Sequence, residues 1–307
     1  MENIYEVTSN NKRKSFLVVS FFVVFVAFAT YFIASAMVYY LGYEVSWVGV
    51  SGIALIISGL TTFLGYYFSD RIILTISGAR PADRKRDFLF YTVAENLSLA
   101  AGLPKPALYV IEDSAPNAFA TGRSPEKAVV CATRGLLEKL DRTELEGVVA
   151  HELSHIKNYD ILLMSVVSVL VGSVSLLADM FLRGAFYRGN RDERNSAGAL
   201  FVMLGILFAI ISPLIAQLIR LAISRRREFL ADASAVAITR QPSGLISALY
   251  KISKDSEPLE VANKATAHLF IVNPFKEKAR GAVDWFSGLF NTHPPIEERI
   301  KALEKMI

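Results

Sequence analysis

Two histidines and a glutamate stand at a spacing that can bind and use a zinc ion. His151, Glu152 and His155 form the pattern H-E-x-x-H. Positions four apart on an α-helix share one face, so both imidazoles can reach one metal ion. Zinc lowers the pKa of its water to about 7, and the neighbouring carboxylate can then act as general base. The pattern predicts a hydrolytic site with one Zn²⁺ per subunit.

The alternative is a chance pair of surface histidines beside a solvated glutamate. The chain has only four histidines, so a chance match has a prior of about one in a hundred or less. The catalytic interpretation is therefore favoured.

The helix that must carry His151, Glu152 and His155 has an N-terminal capping signal in the sequence. Asp141 and Glu144 have the spacing of a capping box, and apolar residues then recur at helical intervals. We expect a helix from about Arg142 onward. Upstream, residues 90–101 keep helical spacing and Gly102 should close that helix.

The composition indicates a membrane protein. Of 307 residues, 52% are hydrophobic and 20% charged, and the mean hydropathy is +0.36. The long apolar runs predict four transmembrane helices, near residues 16–39, 47–68, 161–178 and 196–219. A cleavable signal peptide is the alternative for the first run, but that run is too long for one.

The basic residues indicate how the chain is oriented in the membrane. Residues 12–14 are Lys-Arg-Lys, and a basic run at 80–86 follows the second predicted span. By the positive-inside rule, the amino terminus and everything from Asp70 should be cytoplasmic. The loop at 183–195 contains four arginines, against the rule. The second hairpin either spans fully despite them or is shallow and partly embedded in the protein.

Three short β-prone runs, near Ala107–Ile111, 117–121 and 128–132, precede the H-E-x-x-H helix. They predict a small sheet beside it. An exposed edge strand can bind an extended peptide through main-chain hydrogen bonds. The alternative is a sheet that only supports the helix.

Glu228 follows the second hairpin by about one helical turn, and both ends of that hairpin should emerge on the same side. It can therefore join the histidines as third zinc ligand, with Asp232 on the same face to orient a histidine. A charged helix face is the alternative. Arginines 225–227 predict an anchor to lipid headgroups. His293 could polarise a substrate carbonyl or merely make a local hydrogen bond.

The charge and cysteine content exclude other classes. The net charge is +4 and the pI about 9.0, which suits an anionic lipid surface. No nucleic-acid motif is present, so the lipid bilayer is expected as a partner and nucleic acid is not. The single cysteine, Cys131, excludes an internal disulfide framework.

As a set, these motifs resemble the HtpX-type membrane zinc metalloproteases. The residues are H-E-L-S-H at 151–155, R-E-F-L-A-D at 227–232 and T-H-P-P at 292–295, with further similarity at 96–104, 116–122 and 268–274. The resemblance implies zinc binding by His151, His155 and Glu228, with Glu152 as general base and Asp232 as partner of a ligand. It also implies that the strand from Asn117 binds substrate and that His293 lies near the site.

The resemblance further implies the biological role, which is cleavage of damaged or misfolded membrane proteins. This protein quality control under stress would act at the cytoplasmic side of the plasma membrane. The predicted fold is a mainly α membrane protein (α+β) with four transmembrane helices and a cytoplasmic zincin-like metalloprotease domain containing a small β-sheet. The expected parts are residues 1–69, 70–160, 161–223 and 224–307.

Two alternatives stay open. One is a dedicated processing protease like the CaaX endoproteases, which resemble this chain in their zinc motifs but have more membrane spans. The other is a non-proteolytic membrane scaffold with structural zinc. Structural zinc sites usually have four protein ligands, whereas this pattern offers three ligands and a base.

Overall fold

The computed structural model describes residues 4–41, 47–169, 225–262, 266–272, 274 and 294–307. Most of the predicted second hairpin and His293 lie outside these ranges. The described chain is mostly helical, with one small mixed sheet.

The N-terminal part consists of helices α1 (Ile4–Leu41), α2 (Trp47–Tyr67) and α3 (Ser69–Ile76). Residues 4–15, which precede the first predicted span, form the first turns of α1. Among the described residues, no single helix is both long and apolar enough to cross a bilayer. One pair bent by 72°, Ser51–Tyr67 with Ser69–Ile76, meets that test jointly. The number of membrane spans stays a prediction.

The sheet has the strand order β1-β2-β4-β3. Its strands are β1 (Arg80–Pro81), β2 (Ala107–Ile111), β3 (Ala118–Gly122) and β4 (Ala128–Thr133). The three predicted strands are confirmed as β2, β3 and β4. Strand β4 pairs in parallel with β2 and antiparallel with β3. Strand β3 is therefore an edge strand.

The remaining helices are α4 (Phe88–Ala101), α5 (Arg134–Lys139), α6 (Arg142–Lys157), α7 (Asp160–Val169), α8 (Arg225–Thr239), α9 (Pro242–Lys254) and α10 (Ile296–Glu304). The predicted start of α6 is confirmed, because Asp141 and Glu144 form a full capping box. The predicted end of α4 is confirmed at Gly102, whose left-handed φ of 68° suits glycine.

Helix α6 is the centre of the packing, in contact with α4, α8, α9 and β3. A Cβ at Gly147 would lie 2.7 Å from the backbone nitrogen of Leu245, so glycine allows α9 to approach closely. Leu145, Val148 and Leu153 are almost fully buried. A helix packed on all sides holds its polar side chains in fixed positions.

Helix α6 does not continue directly into the next apolar segment. It ends at Lys157, and Tyr159 takes a positive φ of 59° before α7 begins at Asp160. The break matters for the site, because it turns the Asp160 carboxylate back toward α6.

Candidate metal centre

Three buried side chains can bind one metal ion. They are His151 and His155 on α6 and Glu228 on α8, and one donor atom of each lies within 4.8 Å of the others. The two Nε2 atoms are 3.2 Å apart. Glu228 places its carboxylate oxygens 3.8 Å from Nε2 of His151 and 3.6 Å from Nε2 of His155.

The other ring nitrogen of each histidine contacts a carboxylate. Nδ1 of His151 lies 2.9 Å from Asp232, and Nδ1 of His155 lies 3.1 Å from Asp160. This fixes both rings with Nε2 toward the centre, the arrangement typical of metal-bound histidines. Two imidazoles, one carboxylate and an open fourth position fit a catalytic zinc ion.

The His151 support, defined as Asp232 and Arg299, is a buried ion pair. Arg299 is fully buried and donates two hydrogen bonds to Asp232, at 2.8 and 2.6 Å. It also donates to the carbonyl of Ile271 at 3.0 Å. Burial alone would raise the pKa of Asp232, but the Arg299 charge and the His151 hydrogen bond lower it to about 2. Asp232 is therefore a carboxylate at neutral pH.

The His155 support, defined as Asp160, Asn11 and Arg227, draws on three helices. Oδ1 of Asp160 accepts from Nδ2 of Asn11 at 2.7 Å and from Nη1 of Arg227 at 3.2 Å. The prediction that arginines 225–227 all face lipid headgroups is wrong for Arg227, which is buried. Its charge turns inward because Asp160 needs a partner.

The two histidines have opposite pKa shifts. Burial disfavours the charged form of both rings. At His155 the hydrogen bond to Asp160 and the charge of Glu228 outweigh burial and raise the pKa to about 9. At His151 burial prevails, opposed by Asp232 and reinforced by the Arg299 charge, and the pKa is lowered.

Glu152 lies beside the donors and is 2% exposed. The backbone amide of Ala120 on β3 lies close to its carboxylate and favours the charged form. Burial raises the pKa of Glu152 to about 7 and Glu228 adds to the effect, while the charges of His155 and Arg299 oppose it. A carboxyl group with a pKa near neutrality is suited to accept and return a proton at neutral pH.

The outward edge of β3 is bonded within the chain. The Ala118 carbonyl accepts from the Ile271 N–H at 2.9 Å, and the Gly122 N–H donates to the Ser165 hydroxyl at 3.2 Å. Asn117 donates its amide to the Val272 carbonyl at 2.9 Å. Its side chain thus joins the start of the strand to Val272.

The structure brings five of the seven predicted site residues together, namely His151, Glu152, His155, Glu228 and Asp232. Of the other two, Asn117 is engaged with Val272 and His293 lies outside the described residues. Asp160, Arg299 and Asn11 were given no role from the sequence, and Arg227 was predicted to face lipid headgroups. Arg299 had a signal, because it sits at helical spacing from Ile296 and Leu303, on the apolar face of α10.

A model of peptidase family M48 matches residues 89–307. The protease HtpX homolog of Caldanaerobacter subterraneus subsp. tengcongensis is 43% identical over 307 residues, covering 99% of this chain and 98% of that protein. The HtpX homolog of Thermoanaerobacter pseudethanolicus is 44% identical over 312 residues, with 99% and 98% covered. The crystal structure of S. mikatae Ste24p matches with a TM-score of 0.47 and 17% identity, covering 97% of this chain and 67% of that chain. The resemblance seen in the sequence is confirmed: the chain belongs to peptidase family M48 and is a metalloprotease of the HtpX type.

Proposed function

We propose that the chain is a membrane-bound zinc endopeptidase that cleaves damaged or misfolded proteins, including membrane proteins, on the cytoplasmic side of the plasma membrane. The observation that carries the proposal is the cluster of His151, His155 and Glu228 beside the buried carboxyl group of Glu152. Each histidine has its second nitrogen on a carboxylate, as a zinc ligand requires.

The reaction is hydrolysis of a peptide bond. A bound Zn²⁺ supplies a Lewis acid that polarises the scissile carbonyl and acidifies water. Glu152 accepts a proton from the attacking water as the new C–O bond forms. It then donates that proton to the amide nitrogen as the C–N bond breaks. The backbone amide of Ala120, which favours the charged form of Glu152, is the group on β3 that would orient the carboxylate during both transfers.

Strand β3 is the proposed site of substrate binding. It is the edge strand beside α6, and Ala120 on it contacts the general base. An extended peptide that pairs with an edge strand gains affinity through main-chain hydrogen bonds. On β3, which is buried, the peptide would have to displace the bonds that the Ala118 carbonyl and the Gly122 N–H make with Ile271 and Ser165. This mode suits unfolded substrates, because extended backbone is exposed in misfolded protein and hidden in native protein.

The membrane location rests on the sequence. The apolar runs predict four spans, and the basic residues on either side of the first hairpin predict a cytoplasmic active site. A protease anchored in this way meets membrane proteins at the bilayer surface, where misassembled segments are exposed.

The test is zinc-dependent cleavage by the full chain in detergent. Metal would be removed with a chelator and restored with Zn²⁺, and cleavage of unfolded casein and of the chain itself would be measured. Wild type should cleave only with zinc. Glu228→Gln should bind zinc at least tenfold more weakly, by about 1.4 kcal/mol or more, and lose cleavage.

The control is Ser234→Ala on the same helix, whose hydroxyl donates to the Leu230 carbonyl at 2.7 Å. It should behave as wild type. Stoichiometric zinc binding by wild type without cleavage of either substrate would overturn the proposal in favour of a structural zinc site.

A further inference from the structure

Asn11 is a buried polar residue on α1, far in sequence from the metal centre. It is 2% exposed, and its Nδ2 makes two hydrogen bonds. One goes to Oδ1 of Asp160 at 2.7 Å and the other to the carbonyl of Asn158 at 2.9 Å. Both acceptors belong to the turn between α6 and α7. A side chain of an N-terminal helix therefore reaches the segment that directly follows the two histidines.

The Asp160 carboxylate connects Asn11 to a metal donor. Its Oδ1 accepts from Asn11, and its Oδ2 lies 3.1 Å from Nδ1 of His155. Rotation of this carboxylate would turn the His155 ring and displace Nε2 from the centre. Arg227 also donates to Oδ1, at 3.2 Å. The orientation of the carboxylate is thus fixed by donors from α1 and α8.

The turn itself needs outside support. Tyr159 has a φ of 59°, an unfavourable value for a bulky non-glycine residue. Asn11 bonds the carbonyl on one side of Tyr159 and the carboxylate on the other. Lys12 places its Nζ 4.1 Å from the centre of the Tyr159 ring. Consecutive residues of α1 therefore hold all three residues of the turn.

We propose that Asn11 is a positioning residue of the metal centre, which sets the affinity for zinc through Asp160 and His155. The inference rests on the proposed function, because it takes the three-donor cluster to be the zinc site. Residue 11 lies outside the range 89–307 that matches the peptidase family. The contact is thus a property of the full chain, added to the peptidase domain by its N-terminal helix. Helix α1 continues unbroken from Asn11 to Leu41. A single helix therefore connects the first apolar run to the residue that contacts Asp160.

The test measures zinc affinity by competition with a chromogenic chelator on the full chain in detergent. Asp160→Ala should weaken zinc binding about 10- to 100-fold, as loss of a carboxylate partner does. Asn11→Ala should weaken it about fivefold, the value of one hydrogen bond. In the Asp160→Ala background, Asn11→Ala should not weaken zinc binding further, because Asn11 is proposed to act on His155 only through Asp160.

The matched control is Ser15→Ala, one turn further along α1. Ser15 is equally buried, and its hydroxyl bonds the Asn11 carbonyl at 2.8 Å without touching the turn. It should leave zinc affinity within about twofold of wild type. The visible absorption of the Co²⁺ form supplies a second readout, since its bands depend on ligand geometry. They should shift in Asn11→Ala and not in Ser15→Ala.

The outcomes separate the two proposals. If wild type binds no zinc, or Glu228→Gln binds it as tightly as wild type, the proposed function fails and this inference fails with it. If wild type binds zinc and Glu228→Gln weakens it, but Asn11→Ala matches wild type in affinity and Co²⁺ spectrum, only this inference is overturned. An Asn11→Ala effect that persists undiminished in Asp160→Ala also overturns it, because the residue would then act by general destabilisation.

Discussion

The two histidines of the proposed zinc site are one helical turn apart on α6, yet they are held by different parts of the chain. The His151 support is formed by Asp232 and Arg299, both inside the family-matched range. The His155 support includes Asn11, which precedes that range, together with Asp160 and Arg227. Each support ends in a carboxylate on Nδ1, so the same ligand geometry arises from two unrelated sets of contacts.

The two supports also differ in charge balance. Asp232 receives two hydrogen bonds from the fully buried Arg299, and Arg299 also faces His151 and opposes its protonation. Asp160 receives one hydrogen bond from a neutral amide and a longer one from Arg227, and His155 is easily protonated. The comparison indicates that the His151 support mainly stabilises the fold. The contacts of the His155 support are weaker, so changes there should alter the protonation and zinc affinity of His155 more than the stability of the fold.

The largest expected effect is on stability, from loss of Arg299. Arg299→Met leaves the Asp232 carboxylate buried without its cation. The free energy of unfolding should fall by about 3–5 kcal/mol, seen as a lower midpoint in thermal unfolding in detergent. Lys301→Ala, an exposed residue on the same helix, should change it by less than about 0.5 kcal/mol. Equal effects of the two variants would contradict the structural role.

The second effect is a pH dependence of stability that comes mainly from His155. In the metal-free protein its pKa is raised from 6.5 to about 9. Its stabilising contribution is therefore complete below pH 6.5 and is lost as pH rises through 9. The loss is about 3 kcal/mol. Glu152, whose pKa is raised from 4.5 to about 7, makes stability fall as pH rises from 4.5 through 7, so the later part of the fall, toward pH 9, comes from His155.

The thermal midpoint of the metal-free chain should accordingly fall between pH 7 and 9. Asp160→Asn should flatten the fall, because the partner that raises the His155 pKa is weakened. A wild-type midpoint that is constant across this range would contradict the assigned support.

Zinc affinity compares the two carboxylates directly. Asp232→Asn and Asp160→Asn should each weaken zinc binding about 10- to 100-fold. Above pH 9, where His155 has lost its proton in the folded protein, only Asp232→Asn should also lower stability strongly, because it leaves the fully buried Arg299 charge without its main partner. Chelator competition and thermal unfolding on the same samples separate the two effects. If Asp160→Asn destabilised the fold as much as Asp232→Asn, the contrast between the supports would be lost.

The smallest expected effect concerns Lys12, which contacts the turn without touching Asp160. Its ammonium lies over the Tyr159 ring at 4.1 Å, a contact worth about 0.5–1 kcal/mol at an exposed site. Lys12→Ala should lower the thermal midpoint slightly and leave zinc affinity within about twofold. A loss of zinc affinity as large as that expected for Asn11→Ala would show that docking of α1 matters and the amide does not.

Local patterns predicted the parts of the site that are local. The capping box, the four-residue spacing of His151 and His155 and the short β-prone runs are encoded within a few residues, and each formed as expected. Glu228 and Asp232 could be inferred because a hairpin must return its ends to one side of the membrane.

Apart from Asp232, the residues of the supports could not be predicted, because they meet their partners across long stretches of chain. Asn11 and Asp160 are separated by 149 positions, and Arg299 and Asp232 by 67. Asparagine and arginine are usually exposed to solvent. The polar N-terminal stretch around Asn11 and the position of Arg227 after an apolar run give no reason to expect otherwise. Burial of Asn11 and Arg227 follows from the carboxylate they meet, which no local pattern reveals.

The central claim is that Glu152 acts on water while other residues bind the metal. The most direct measurement compares zinc content and casein cleavage in wild type, Glu152→Gln and Glu146→Gln, the last being a control on the same helix that pairs with Arg142. Glu152→Gln should retain one zinc per chain and lose about 10²–10⁴-fold in cleavage rate, while Glu146→Gln matches wild type. Wild-type cleavage by zinc-loaded Glu152→Gln would contradict the mechanism.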